Sequence, residues 1–315
     1  MKKLFVILLS LVVVMSFGAW NHQEQSEPLK VGFSELAIDG AWRITQVESM
    51  ESEAAARGYD FVMTNAELDP EKQVSDVEDL LAQGVDFLFI AALDMEAIVP
   101  ALDAAKAKGV PVILIDRQAN GVWGEDFLTT IISDYRLQGR MVGSWLEENI
   151  EGDIKIVELT VKPGGSDARD RAAGLRDIVD SADNMEVVVS QNANGSRSEA
   201  QNVLQNIIQS TGGDFNVVFT QCDNMALGAI LALKTAGMNP GTDVKIISVD
   251  GMAEAVEAVI AGEINAIATC NPRFGPMAFD AMEAYLNGET LDEFIINSET
   301  LITIENAEEK LPEAF

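Results

Sequence analysis

Charged and amide side chains recur directly after short apolar runs in this chain. Asp116 and Arg117 follow the run 112–115, Asp134 follows 131–133 and Asp250 follows 246–249. Gln221, Cys222 and Asp223 follow 219–220, and Asn271 follows 267–269 by two residues. Ser34 and Glu35 close the first run and lead to Trp42 and Arg43, while Arg171 opens a helix after a glycine-containing loop. A carboxylate accepts a hydrogen bond from a hydroxyl and a guanidinium donates one, and the charge strengthens both bonds. A ring such as that of Trp42 offers a flat apolar surface to C–H groups. The set suits a small polyhydroxylated molecule. Alone, each Asp or Arg reads as a strand-end cap or a hinge ion pair; their recurrence at several run ends is what points to one shared site.

The same inventory speaks against catalysis. Gly164-Gly165-Ser166 lacks the Gly-Lys-Ser/Thr ending of a phosphate loop, and no G-x-S-x-G elbow occurs. The sole histidine, His22, lies near the N-terminus, so the rest of the chain has no imidazole base or soft metal ligand. The best-placed carboxylates adjoin arginines, which favours holding over proton transfer. Pairs such as Glu51/Glu53 and Glu147/Glu148 read as solvated helix faces. The chain is therefore expected to be no enzyme and to need no cofactor or metal. Its net charge of −30 is spread along the sequence and repels nucleic acid.

These residues need elements to hold them. At 315 residues the chain suits two domains, each with its own core. Apolar runs at 29–34, 59–64, 87–92, 111–116 and 129–133 read as strands, separated by helical spacing such as Val74, Val77, Leu80 and Leu81. Gly58, Gly84 and Gly109 stand where helices would close. The rhythm restarts with runs at 153–161, 186–190, 216–221, 245–249 and 264–269, followed by a helix over 275–286 and one last strand region over 294–304. Continuous apolar runs of this kind belong to parallel sheets covered by helices on both faces. In such sheets ligands bind beyond the carboxyl ends of the strands, where the charged residues cluster. No Pro-, Gly- or Ser-rich linker separates the two blocks, so the chain is expected to cross between them several times. At the start, Lys2 and Lys3 precede an apolar run over 4–15 and the small residues Ser16, Gly18 and Ala19. That pattern reads as an export signal over 1–18, followed by a flexible leader over 19–28. Cys222 and Cys270 are the only cysteines, and a disulfide between them is permitted outside the cytoplasm.

At these positions the sequence resembles the ribose-type periplasmic sugar-binding proteins of ABC importers, and within them the galactofuranose-binding subgroup. The resemblance runs from Lys30 to about Leu301. It rests on the order and spacing of KVGFSELAIDGAWR, AQGVDFLFIAAL, GVPVILIDR, SDYRLQGRMVGSWL, DARDRAAGL, CDNMALGAI, SVDGM and CNPRFGPMAFDAM. It implies two doubly wound, Rossmann-like α/β domains joined by a three-stranded hinge: 29–134 with about 271–297, and 135–270 with about 298–315. It implies that the jaws close on a monosaccharide, a pentose or hexose, furanoses such as galactofuranose included. Asp116, Arg117, Trp42, Ser34 and Arg43 would meet it from the first domain, and Arg171 and Asp250 from the second. Asp134 would sit near the first hinge crossing, and the family's hinge-side amide would fall at Asn271. The implied partner is an ABC permease in the cytoplasmic membrane, served by a periplasmic monomer.

Three departures bear on the sugar. Cys222 stands where the family usually has an amide, Asn194-Gly195-Ser196 where an aromatic is common, and Thr269 where the subgroup often has a carboxylate. Rival readings are a sugar sensor presenting its closed form to a chemoreceptor or kinase, a sugar-responsive repressor, and a two-carboxylate hydrolase. The repressor would need a basic DNA-binding head in place of the export signal.

Overall fold

The computed structural model describes residues 28–315, so the export signal and nearly all of the leader lie outside the described residues. The first block runs β1 (Lys30–Glu35), α1 (Ala41–Arg57), β2 (Asp60–Asn65), α2 (Pro70–Ala82), β3 (Phe87–Ile90), α3 (Val99–Lys108), β4 (Val112–Ile115) and β5 (Thr130–Ser133). The second runs α4 (Tyr135–Asn149), β6 (Ile154–Thr160), α5 (Ser166–Val179), β7 (Met185–Asn192), α6 (Arg197–Thr211), β8 (Val217–Thr220), α7 (Asp223–Thr235), β9 (Lys245–Asp250), α8 (Ala253–Ile260) and β10 (Ala266–Thr269). Then come α9 (Gly275–Leu286), β11 (Phe294–Asn297), β12 (Leu301–Thr303) and the short α10 (Ala307–Lys310).

The strands form two six-stranded sheets, in the orders β11-β5-β4-β3-β1-β2 and β12-β10-β9-β8-β6-β7. Within the sheets only the β10–β12 pair is antiparallel. The central strands are buried along their whole length, as β3 (FLFI) and β4 (VILI) show, because helices cover both faces. Edge strand β7 instead alternates buried and open positions over its first half. Each sheet carries an apolar layer on each face. Phe33, Phe89 and Ile115 pack with Phe274 and Phe279 on one side of the first sheet, and Leu88, Ile90 and Leu114 with Leu80 and Leu102 on the other. In the second sheet Val218 and Leu159 meet Met225 and Ile230, while Phe219 and Ile247 meet Val142 and Leu146. The architecture is thus two doubly wound α/β domains.

Local chemistry sets the helix ends. Asp69 accepts from the amides of Glu71 and Lys72, with Pro70 at the first helical position of α2. Gly58 and Gly109 take the left-handed conformation that closes α1 and α3. Helices α4 and α5 meet along glycines. A methyl group at Gly139 would collide with the carbonyl of Arg171, and one at Gly174 with the carbonyl of Arg136. That close approach seats Arg171.

The expected single strand region over 294–304 proves to be two strands in different sheets. β11 pairs parallel with β5 and β12 antiparallel with β10, so residues 298–300 carry the chain from one sheet to the other. Two further passages occur, at residue 134 between β5 and α4 and over 270–274 between β10 and α9. α4 packs in the second core, and α9 packs on α1 in the first.

Candidate functional site

A cleft of about 430 Å³ opens between the domains at the carboxyl ends of both sheets. On the first-domain side Asp116 follows β4. Its Oδ2 lies 2.7 Å from an Arg43 guanidinium nitrogen and 3.6 Å from Arg117 Nε. The Tyr135 hydroxyl donates to its Oδ1 and to its backbone carbonyl. Burial works to raise the Asp116 pKa, but Arg43 and Arg117 outweigh it and hold the carboxyl below its ordinary range. Arg43 also bonds Gln46 Oε1 at 2.8 Å and lies 4.4 Å from the Trp42 ring centroid. The Trp42 indole N–H donates to the Cys270 carbonyl at 2.7 Å, tying the ring to the second interdomain passage.

On the opposite side Arg171 projects from α5. It donates to Gln138 Oε1 at 2.9 Å and to the Gln221 carbonyl at 2.7 Å, and it sits 5.0 Å from the Tyr135 ring centroid. Its remaining nitrogen is 3.8 Å from Asp250 Oδ1. Asp223 accepts the amides of Gly251 and Met252, and its own amide donates to Asp250 at 3.3 Å. Burial pushes Asp250 well above the ordinary carboxylate range, and Arg171 offsets this only in part. Burial likewise lifts Asp223 to about 6.

The two walls touch. Arg117 bonds Asp167 at 2.8 Å, the Gln118 amide donates to Ser166 Oγ at 3.3 Å, and Arg169 reaches Gln118 Oε1 at 3.2 Å. Backbone strain concentrates here too. Of the five described non-glycine residues with positive φ, four line the cleft: Leu68, Asp116, Asn194 and Asp250. Such conformations persist only where the surroundings enforce them, and they gather at ligand sites.

Among the residues singled out from sequence, the cleft brings together Trp42, Arg43, Asp116, Arg117, Arg171, Cys222 and Asp250. Ser34 and Glu35 lie wholly buried and outside its lining. Glu35 Oε1 accepts the amides of Leu36 and Ala37 and faces Arg43 at 3.7 Å, so it supports that arginine from behind. Asp134 caps α4 through the Leu137 amide and does not line the cleft. Asn271 is exposed, accepts the Arg273 amide, and borders a smaller cavity of about 180 Å³ beside the interdomain strands. Cys222 and Cys270 are free thiols, bonded to the Gly195 carbonyl and Ser133 Oγ, so no disulfide joins them.

Sequence reasoning missed Tyr135, Asp167, Asn224, Asp39, Asp94 and Lys162, all of which line the cleft. Tyr135 and Asp167 lie inside the segments SDYRLQGRMVGSWL and DARDRAAGL, and only the fold shows which of their residues turn inward. Glu299 was also missed. It accepts from Thr269 Oγ1 at 2.8 Å, and burial raises its pKa. A carboxylate from the third passage thus stands at the position where the chain carries Thr269. No group of side chains among the described residues could hold a metal ion, and no described helix is long and apolar enough to cross a membrane.

The family model for the periplasmic binding protein domain matches residues 31–290. The galactofuranose-binding protein YtfQ of Escherichia coli strain K12 is 32% identical over 96% of this chain and 96% of its own length. The ribose import binding protein RbsB of Bacillus subtilis strain 168 is 32% identical over 84% of each. Among solved structures, a galactofuranose-binding protein superposes with a TM-score of 0.87 at 32% identity, covering 91% of this chain and 98% of that one. The periplasmic component of the arabinose ABC transporter from Shewanella sp. ANA-3, bound to α- and β-L-arabinofuranose, gives 0.87 at 34%, covering 90% and 95%.

Proposed function

Because this chain belongs to the periplasmic binding protein domain family, we propose that its cleft captures one monosaccharide, a pentose or hexose in furanose or pyranose form, by closure of the two domains. The protein then hands the sugar to an ABC permease in the cytoplasmic membrane and acts as a monomer without catalysing a reaction. The observation that carries this reading is the pairing of opposed charge across one cleft. Arg43–Asp116 on the first wall and Arg171–Asp250 on the second face the same volume. Each pair offers a fixed acceptor beside a fixed donor, which is what a ring of hydroxyls requires. Trp42 and Tyr135 supply apolar surface between them. Only the closed form presents both walls at once, so the ligand shifts the equilibrium toward closure. The relatives that bind galactofuranose, ribose and arabinofuranose support this class of ligand.

A thermal-shift and calorimetric screen of the purified protein against pentoses, hexoses, their furanose-prone members and polyols tests it. A ligand that binds only the native state stabilises it by about 2.7 kcal/mol at a hundredfold excess over Kd, so the melting point rises with ligand concentration. Asp116→Asn keeps the side chain's shape and tolerates the positive φ of 67°. It should weaken binding by roughly 2–4 kcal/mol, because Arg43 loses its charged partner. Silence of a well-folded protein to every sugar would overturn the reading, and undiminished affinity in Asp116→Asn would remove Asp116 from the site.

A further inference from the structure

Most of the cleft wall is charged, but a stretch of the second domain is not. Val161 directly follows β6, Gly195 lies in the turn before α6, and Cys222 stands at the N-cap of α7. A Cβ placed on Gly195 would sit 3.9 Å from both the Cys222 sulfur and a Val161 methyl, so the three form one continuous small surface. Its polar side-chain groups are already engaged. The Cys222 thiol donates to the Gly195 carbonyl at 3.7 Å, and the Val161 amide donates to Gln221 Oε1 at 3.2 Å. The neighbouring Asn194 amide is committed as well, accepting from Asn192 at 2.6 Å and donating to Glu199 at 2.7 Å. The Gln221 carbonyl receives Arg171. The side chains that a ligand substituent turned toward this stretch would meet end in a methyl and a sulfur, on either side of a glycine α-carbon.

We propose that the recess formed by Val161, Gly195 and Cys222 selects an apolar substituent, so that the substrates are deoxy sugars, carrying a methyl group or a bare methylene where their parents carry a hydroxyl. The inference rests on the monosaccharide reading above and narrows it. A hydroxyl pressed against these side chains gives up water and gains no side-chain partner, while a methyl packs on them. An apolar pocket discriminates against an added hydroxyl by up to about a hundredfold, and this recess is expected to give about tenfold or more. The charged pairs Arg43–Asp116 and Arg171–Asp250 still hold the remaining hydroxyls.

The test is calorimetric titration of the purified protein with matched pairs: D-fucose and D-galactose, L-rhamnose and L-mannose, 5-deoxy- and 2-deoxy-D-ribose and D-ribose. At least one deoxy member should bind about tenfold or more tighter than its parent. Cys222→Asn introduces a donor and an acceptor into the recess at a helix N-cap where asparagine is favoured. It should erase or reverse the preference, whereas Cys222→Ala should keep it. Circular dichroism and melting show whether both variants remain folded, and the wild-type ratio stands on its own if Cys222→Asn does not. Parents binding as tightly as their deoxy forms would overturn this inference alone, as would a Cys222→Asn variant with the wild-type ratio. Silence toward every sugar would overturn the monosaccharide reading and this inference with it.

Discussion

Glu35 shows how much the site depends on residues that never touch its surface. It is fully buried behind Arg43, one of its oxygens has no partner, and burial lifts its pKa from 4.5 to about 7. A raised carboxyl pKa means that the native state holds a proton that the unfolded chain releases between those values. The associated stability is complete below pH 4.5 and is lost as pH rises through about 7. Glu35→Gln should remove this contribution to the pH dependence, at most roughly 3 kcal/mol across the window. Urea midpoints of both proteins at pH 5, 6, 7 and 8 check it, since Asp223 and Asp250 titrate alike in both and cancel in the difference. A difference that stays flat with pH would mean that Glu35 does not titrate there. The sequence made the strand-end residues legible because their position follows from the apolar runs. Asp116, Arg117, Cys222 and Asp250 all reach the cleft on that logic. It could not separate Asp134, which caps α4, from Tyr135 beside it, whose hydroxyl holds Asp116, because one residue's step along the chain decides the direction.

At the scale of elements the strand rhythm was readable nearly throughout, since buried parallel strands are written as unbroken apolar runs. The exception was 294–304, where two short strands separated by 298–300 belong to different sheets. Composition alone does not show a change of sheet. Contacts between distant segments were equally hidden. Thr269 and Glu299 are 30 positions apart, and only the antiparallel β10–β12 pairing brings them together. The α4–α5 seam is the element on which the second wall depends. Gly139→Ala forces a methyl against the Arg171 backbone and must push α5 away. Overpacking of this kind costs about 1–3 kcal/mol. The variant should therefore lose stability in chemical denaturation and also bind sugar about tenfold more weakly, because Arg171 moves with its helix. Lost stability with unchanged affinity would show that α5 recovers its position.

For the whole molecule, the interdomain contacts set the balance between open and closed forms. Arg117–Asp167 is a charge-assisted bond across the cleft, with both side chains largely buried, and it joins the two walls directly. Asp167→Ala removes it and should shift the unliganded protein toward the open form. Small-angle scattering should then give a larger radius of gyration without sugar, the same radius at saturation, and an affinity lowered about tenfold by the added cost of closing. Equal radii for both proteins without ligand would show that this pair does not set the resting state.

The three interdomain passages also dictate an order of events during synthesis. The first domain's core needs Phe274, Phe279 and Met282, and its sheet needs the edge strand β11 beside β5. All of these leave the ribosome after the body of the second domain. Although domains usually fold in turn as they emerge, here the first to appear is left without its aromatic cover until residue 297 is out. For a chain whose first residues read as an export signal, the strand order itself postpones a finished domain and keeps the polypeptide in a form that can still be threaded.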